Sequence, residues 1–346
     1  MLIQNSPLEQ GFFFPAEWEV HEATWLTYPK PNESWPSNFE AVCDEYNRFA
    51  SVISQGEAVK IVCDNTEHSR KIAEQLDKLQ ANMSQISFHS FGSNDSWCRD
   101  HGPAFLQHKT SNKRAIVKWE FNAWGEKYPS NLDNEIGNKI AQLYNFPVFR
   151  PGIVMEGGSI EVNGKGTLLT TTSCLENANR NSKLSKPDIE EYLKHYYGVT
   201  NIIWLNNGIE GDDTDGHIDD ITRFVSSNEI IVVVEQDKKD KNYSILKENI
   251  INLEKSVLEN GEKPELIELI MPESTFFNKD RLPASYANFY ICNSGVIVPV
   301  FGTKNDDKAL ETIQKCFPEK EVIGLLSKNV IYGLGSWHCL SQQVIK

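Results

Sequence analysis

Near the C-terminus, the stretch Gly333-Leu334-Gly335-Ser336-Trp337-His338-Cys339-Leu340-Ser341-Gln342-Gln343 sets a cysteine after a glycine-punctuated turn and before polar residues. Two glycines free the backbone to turn sharply, and Ser-Gln-Gln follows where a core strand would carry apolar side chains. The pattern suits a presented thiol, although a lone cysteine is more often a small core hydrophobe. A nucleophilic thiol needs a base, and His217 with Asp219 is the best-placed candidate pair. On an extended segment residues i and i+2 face the same way, so both could enter one pocket. Histidine exchanges protons near neutral pH, and the carboxylate either orients it or holds a cation.

Further polar clusters interrupt apolar surroundings at Asn94–Pro103, Met155–Ser159 and Tyr286–Phe289. Glu156 precedes two glycines, so its carboxylate can project while the backbone packs closely. In isolation Glu-Gly-Gly also reads as a surface turn, Asp212–Asp220 as a solvated acidic turn, and Asp95, Arg99 and Asp100 as a structural ion cluster beside Trp97. The intervals are 61 residues from Asp95 to Glu156, 61 from Glu156 to His217, 71 to Asn288 and 51 to Cys339. Units arranged in a ring would bring all five sets to one centre.

Several carboxylates in one pocket repel unless a cation joins them. A planar guanidinium fits, because its N–H groups match carboxylates two at a time. Pinned by Asp95 and Asp219, its central carbon would be open to attack by Cys339. A metal is the alternative occupant, with His217, Asp215, Asp219 and Cys339 as its ligands, but no second histidine lies nearby in sequence.

The elements that must position these groups alternate between strand and helix. Helical patterns cover Phe39–Ile53, Thr66–Leu79, Leu132–Tyr144, Pro187–Tyr197, Tyr243–Leu258 and Asp306–Cys316. Runs rich in Val, Ile, Phe and Thr lie at Ala58–Cys63, Arg114–Phe121, Ile202–Leu205, Ile230–Val234, Leu266–Met271, Phe289–Val300 and Val322–Leu326. The later five helices begin every 55 to 66 residues, as one supersecondary unit used five times would. No Pro/Gly/Ser-rich linker divides the chain, so residues 1–346 read as a single α/β domain.

The 34 basic and 48 acidic residues give a net charge of −14, which disfavours a polyanionic partner such as nucleic acid and suits a cationic ligand. Seven scattered cysteines without a Cys-x-x-Cys pair suggest neither a disulfide framework nor a zinc ribbon. No basic-then-apolar leader and no apolar run near eighteen residues are visible, so a cytoplasmic, non-membrane protein is expected.

The stretches Pro15–Trp25, Asn94–Pro103, Phe121–Gly125, Glu156–Ser159, Asp213–Asp219, Tyr286–Asn293 and Gly333–Gln343 together resemble the agmatine deiminases and bacterial peptidylarginine deiminases of the guanidino-modifying (pentein) superfamily. The resemblance spans nearly the whole chain. It implies an α/β fold, a five-fold pseudosymmetric propeller of ββαβ units. It also implies Cys339 as nucleophile, His217 as general acid/base, Glu156 contacting substrate nitrogen and supporting the histidine, and Asp95 and Asp219 as guanidinium-binding carboxylates.

The implied reaction is hydrolytic deimination through a covalent thiouronium on Cys339, foremost of agmatine to N-carbamoylputrescine and ammonia, a step toward putrescine. Peptidylarginine is the runner-up substrate, and a non-catalytic guanidine or polyamine binder is the reading from another class. No cofactor or metal is implied. The expected partner is a small cationic guanidino substrate, with no nucleic acid and no membrane, and a homo-oligomer is left open. Trp97 and Trp124 are candidates to line the alkyl chain, Asp212 or Asp215 to meet a terminal amine, and Asn288 to contact substrate. One departure stands out: Leu334 and Trp337 replace a glycine and an isoleucine usual in the family's last motif, at positions that the resemblance places beside the substrate.

Overall fold

The computed structural model describes residues 3–31 and 34–346. Met1, Leu2, Asn32 and Glu33 lie outside the described residues. Among the described residues, five sheets repeat one pattern: a first strand antiparallel to a second, then a helix, then a third strand parallel to the second. The middle unit is Ile160–Val162, Thr167–Thr171, helix Lys186–Tyr197 and Asn201–Leu205. The next is Thr222–Phe224, Glu229–Val234, helix Lys241–Lys255 and Glu265–Ile270. Tyr290–Cys292, Gly295–Val300, helix Asp306–Cys316 and Val322–Leu326 make another. Ala104–His108, Arg114–Val117, helix Asp133–Gln142 and Val148–Phe149 make a fourth.

The fifth unit joins the two ends of the chain. Strand Ser341–Ile345 pairs antiparallel with His21–Thr27, and helix Phe39–Ser54 then leads to the parallel strand Ala58–Cys63. The ring is therefore a five-fold α/β propeller of ββαβ units, closed by its own C-terminal strand. The helix that belongs to this unit is Phe39–Ser54. Helix Thr66–Lys78, which the five-fold spacing includes in its count, instead carries the chain to an added edge strand, Ile86–Ser90.

Local chemistry explains these boundaries. Ser185 and Asp188 exchange the reciprocal bonds of a capping box, a proline occupies the first turn, and Gly198 ends helix Lys186–Tyr197 in the left-handed conformation. The run Phe289–Val300, which reads as one strand, is a tight hairpin in which Asn293 and Ser294 turn between the paired residues Cys292 and Gly295. Helix Phe39–Ser54 buries Val42, Tyr46, Phe49, Ala50 and Ile53, spaced three or four apart, in one core with Val59, Ile61 and Trp337. No helix among the described residues is long and apolar enough to cross a membrane.

Candidate active site

Short loops entering the first strand of each unit carry the chemistry. Asp100 and Glu156 each stand four residues before such a strand, Asp219 three, and Asn288 and Cys339 two. Because those strands begin around one axis, residues from opposite ends of the chain meet. Cys339 is 6% exposed and lies on the wall of a cavity of about 270 Å³, while Glu156, His217 and Asp219 are fully buried behind it.

The sulfur receives Asn288 Nδ2 at 3.0 Å and stands 3.7 Å from Asp219 Oδ2. His217 Nδ1 lies 3.8 Å from Asp100 Oδ1, and neither ring nitrogen has a hydrogen-bond partner among the described residues. His217 is extended, and a short 3-10 turn over Ile218–Asp220 follows, so a turn brings His217 and Asp219 to one site where strand alternation was expected. Gly158 lies where these groups meet: a Cβ there would come 2.5 Å from His217 Nδ1, 2.9 Å from Asp100 Oδ1 and 3.1 Å from Asp219 Oδ2. Its bare backbone lets N–H donate to Asp100 Oδ1 at 2.9 Å.

Glu156 Oε1 accepts from Arg180 Nε at 2.7 Å, while its Oε2 is buried without a partner among the described residues. Arg180 also pairs with Asp215. Asp215 is further bound by Asn179 and Lys127, and against burial these partners hold it below the usual carboxylate range. A carboxylate so engaged is a support for Arg180, and the expectation that Asp215 receives a substrate amine is corrected accordingly.

The acid expected from the Asn94–Pro103 cluster also changes. Asp95 lines the cavity but accepts from Ser34 Oγ at 2.7 Å and from the Ser96 backbone N–H at 2.8 Å. The carboxylate set against His217 and Asp219 is Asp100, which replaces Asp95 at that place. Asp100 Oδ2 accepts from Trp124 Nε1 at 2.9 Å. Trp124 makes this contact from a left-handed turn, with φ of 50° at Ala123, 55° at Trp124, 99° at Gly125 and 63° at Glu126. Each non-glycine residue there costs about 1 kcal/mol or more, a strain that fixes the indole on the acid.

Electrostatics sets the character of the site. Burial raises the Asp100 carboxyl to about 6, with Asp219 and Glu156 adding to the rise and His217 opposing it. Burial also lifts the Cys339 thiol well above its ordinary range, reinforced by Asp219, Asp220 and Asp100. Burial works against an ionised Asp219 as well, yet the hydrogen bond and charge of His338, with His217 and Arg223, keep it below its usual range. Asp220 goes the other way, raised far by burial and by Asp219 and Asp212. The site is thus over-supplied with acid, which disfavours the thiolate. Among the described residues, two trios, Glu156, Cys174 and His217, and Asp219, Asp220 and Cys339, bring donor atoms within 4.8 Å of one another and could hold a metal.

The cavity wall combines Trp97, Trp124, Tyr128, Tyr332 and Leu334 with Asp95, Asp100 and Asp213. Leu334 stands at the cavity in a left-handed conformation, φ 70°. Trp337 does not: it is fully buried, stacks on Phe49 at 4.8 Å and donates to the Leu325 carbonyl, so its expected place beside a substrate is corrected to the core. Asp212 accepts from Thr214 and from the His217 backbone N–H, which shapes the acidic turn.

Sequence reasoning missed Asp100 as a site acid, and also the buried Asp220, Arg180, Glu17, Arg223 and His338, whereas Arg99, read as part of a structural ion cluster, does pair with Glu17. The signal available for Asp100 was its offset to the following strand, the same as that of Glu156.

Comparison with known proteins finds relatives along nearly the whole chain. The family model described as Porphyromonas-type peptidyl-arginine deiminase matches residues 13–344. The agmatine deiminase of Medicago truncatula is 36% identical, with 99% of each chain covered. Among solved structures, the agmatine deiminase of Enterococcus faecalis superposes with a TM-score of 0.92 at 31% identity, covering 100% of this chain and 99% of that one. An agmatine deiminase of C. jejuni with substrate bound gives 0.89 at 31% identity, covering 100% and 98%. With its cysteine, histidine and acids assembled by five-fold repetition and its length matched from end to end, this chain belongs to the Porphyromonas-type peptidyl-arginine deiminase family.

Proposed function

We propose that this protein hydrolyses the guanidinium group of agmatine to N-carbamoylputrescine and ammonia. One observation carries the choice of substrate: the described residues lining the cavity include Asp95, Asp100 and Asp213 and no lysine, arginine or histidine. An alkyl chain ending in an ammonium is welcome there, whereas the carboxylate of free arginine would face these carboxylates, and Lys127, the cation beside Asp213, is already paired with Asp213 at 3.3 Å and Asp215 at 3.0 Å. The agmatine deiminase relatives described above point to the same substrate.

Asp100 and Asp219 grip the guanidinium N–H groups, and their charge makes the central carbon a held electrophile. As the cation arrives Cys339 passes its proton to His217, and the thiolate attacks that carbon and forms a C–S bond. His217 gives a proton to the departing nitrogen as the C–N bond breaks, releasing ammonia and leaving an S-alkylthiouronium. Glu156, held by Arg180 through one oxygen, offers its unpartnered oxygen to the substrate nitrogen or to His217. Water then attacks the same carbon, one of its protons passing to His217 and the other to the departing sulfur as the C–S bond breaks, which gives the ureido product and free thiol. The site asks no cofactor of this sequence of steps.

The ring acts as one catalytic domain spanning residues 1–346, with a small cationic guanidino compound as its partner. A cytoplasmic location is part of the reading, supported by seven cysteines that are all free. The test is to incubate the purified protein separately with agmatine, free arginine and an arginine peptide and to measure ureido product and ammonia. Product from agmatine alone is expected. Product from the peptide alone would replace the substrate assignment, and none from any of the three would end the deiminase reading.

A further inference from the structure

The steps above leave one buried thiol unused. Cys174 is free and fully buried, in the short turn Thr172–Leu175 that follows strand Thr167–Thr171. One side chain ties that turn to the loop of the catalytic histidine: Thr171 Oγ1 accepts the Cys174 backbone N–H at 3.3 Å and donates to the Gly216 carbonyl at 2.5 Å. His217 is the next residue. The Cys174 sulfur, a ring nitrogen of His217 and a carboxylate oxygen of Glu156 consequently lie within 4.8 Å of one another, and none of the three residues is exposed.

A cysteine alone in such a place is a small core side chain, and Cys174 does share an apolar core with Met155 and Leu175. Packing does not explain its two neighbours. Both ring nitrogens of His217 and Oε2 of Glu156 are buried with no hydrogen-bond partner among the described residues. Buried polar atoms in native proteins find partners, so this gap suits a ligand. A guanidinium can engage either group, but it gains nothing from a second sulfur. Arg180 Nε takes the other oxygen of Glu156 at 2.7 Å and leaves Oε2 free. Asp215 offsets the charge of Arg180, and Asp100 Oδ1 stands 3.8 Å from His217 Nδ1, so the surroundings favour an added cation.

We infer that Glu156, Cys174 and His217 form an inhibitory binding site for a thiophilic divalent cation, zinc foremost, whose effect on turnover rests on the deiminase reading. Sulfur, imidazole nitrogen and carboxylate oxygen are zinc's usual donors, with bonds of about 2.0–2.3 Å, and three protein ligands leave a fourth position for water. Donors bound at those lengths stand about 3–4 Å apart, so side-chain rotations of up to about 1 Å close the trio on the ion. The thiol proton leaves to solvent as the Zn–S bond forms. Calcium and magnesium take oxygen ligands and are poor occupants. The way in is the substrate's own, because Asp100 both lines the cavity and adjoins His217. A bound metal takes the histidine that must carry protons, and turnover stops.

The experiment titrates cobalt(II), a coloured stand-in for zinc, into Cys339→Ser, which removes the thiol of the other trio, Asp219, Asp220 and Cys339. A thiolate-to-cobalt charge-transfer band is expected, and it should vanish in Cys339→Ser/Cys174→Ser. No band, or a band that survives the second substitution unchanged, overturns the proposal. Where circular dichroism shows that this double variant does not fold, Cys339→Ser/Glu156→Gln takes its place. Its cobalt affinity should fall at least about tenfold, as it does on loss of even an outer partner of a metal, and an unchanged affinity overturns the site. In parallel, zinc is added to the wild-type protein and to Cys174→Ser during agmatine turnover. Cys174→Ser should match the wild type without zinc and need at least about tenfold more zinc for half-inhibition. Equal sensitivity of the two would move the metal to the Asp219 trio and overturn the proposal. A cobalt band that depends on Cys174, with no agmatine turnover in zinc-free wild type, sinks the deiminase reading and leaves the metal site standing; full turnover with the band absent sinks the metal site alone.

Discussion

The Asn288 amide and the Cys339 sulfur are 3.0 Å apart, and the same Nδ2 also donates to Asp220 Oδ1 at 2.9 Å. Asn288 Oδ1 accepts the backbone N–H of His338 at 3.1 Å and of Cys339 at 3.3 Å, so the amide cannot flip without breaking these bonds. Asn288 therefore supports the thiolate that forms, and its expected contact with substrate is replaced by one with the nucleophile.

A hydrogen bond to a charged group contributes about 1.5–3 kcal/mol. Asn288→Ala should lower kcat for agmatine by roughly 10- to 100-fold with the fold intact, since each 1.4 kcal/mol is about tenfold in rate. Asn288→Asp should be worse, because it sets a further carboxylate against the sulfur. Steady-state kinetics of the two variants decide it, and an aspartate variant as active as wild type would remove Asn288 from support of the thiolate.

The raised thiol of Cys339 has a measurable sign. Burial and three nearby acids disfavour the anion, so in the free enzyme Cys339 stays protonated at neutral pH and alkylates slowly. Asp219→Asn removes the first-named of those charges and should bring the thiol down, so that iodoacetamide labels Cys339 faster at neutral pH even as turnover is lost. Mass spectrometry of the labelled cysteine against pH reads both effects. Slower labelling in the variant would show that Asp219 favours the thiolate, contrary to the electrostatics.

Asp100 and Asp95 can be separated by pH and by substitution. Asp100, raised to about 6, protonates as pH falls through that value and releases the guanidinium, so the acid limb of kcat/KM for agmatine should bend near 6. Interaction with Asp219 makes the observed value a property of the pair. Asp100→Asn should cost at least about 100-fold in kcat/KM, the loss of a charge-assisted hydrogen bond at the high end of its usual range. Asp95→Asn, on the cavity wall, should act chiefly on KM and leave the limb in place. The reverse ranking of the two variants would return the guanidinium to Asp95.

How far the sequence could be read follows from the geometry of the units. Helix positions were legible because three or four turns of amphipathic pattern repeat a signal; Asp306–Cys316 matches in full, and Thr66–Lys78 differs by one residue. The shortest first strands were not legible as such: Ile160–Val162 and Thr222–Phe224 are three residues each and buried throughout, too short to alternate, and Tyr290–Cys292 merged into one longer run with its hairpin partner. Cys339, Glu156 and His217 stood out as polar residues at glycine-marked turns. Asp100 was hidden beside Asp95, because choosing between two acids in one cluster required the short strand that follows. Arg223 and Glu17 were hidden for another reason: they pair across 206 residues of chain, and a charged residue in isolation reads as surface.

Leu334 offers a test of the cavity itself. Its φ of 70° is a glycine-like conformation, which costs a leucine about 1 kcal/mol, yet its side chain lines the cavity together with Trp97 and Trp124 and packs against core residues. Leu334→Gly would relieve that strain and lose a partly buried apolar contact of similar size, about 1 kcal/mol, so the melting temperature should move by only a few degrees. The effect on recognition should be larger. Removing the isobutyl group leaves an alkyl chain without one of its walls, which raises KM for agmatine, and opens space for a bulkier tail. The variant should therefore gain relative activity toward a guanidino substrate carrying an N-acyl or amide group beyond the alkyl chain, measured as the ratio of kcat/KM values for the two substrates. An unchanged ratio with a raised KM would mean that Leu334 packs the substrate without selecting it, and an unchanged KM would remove Leu334 from the tail altogether.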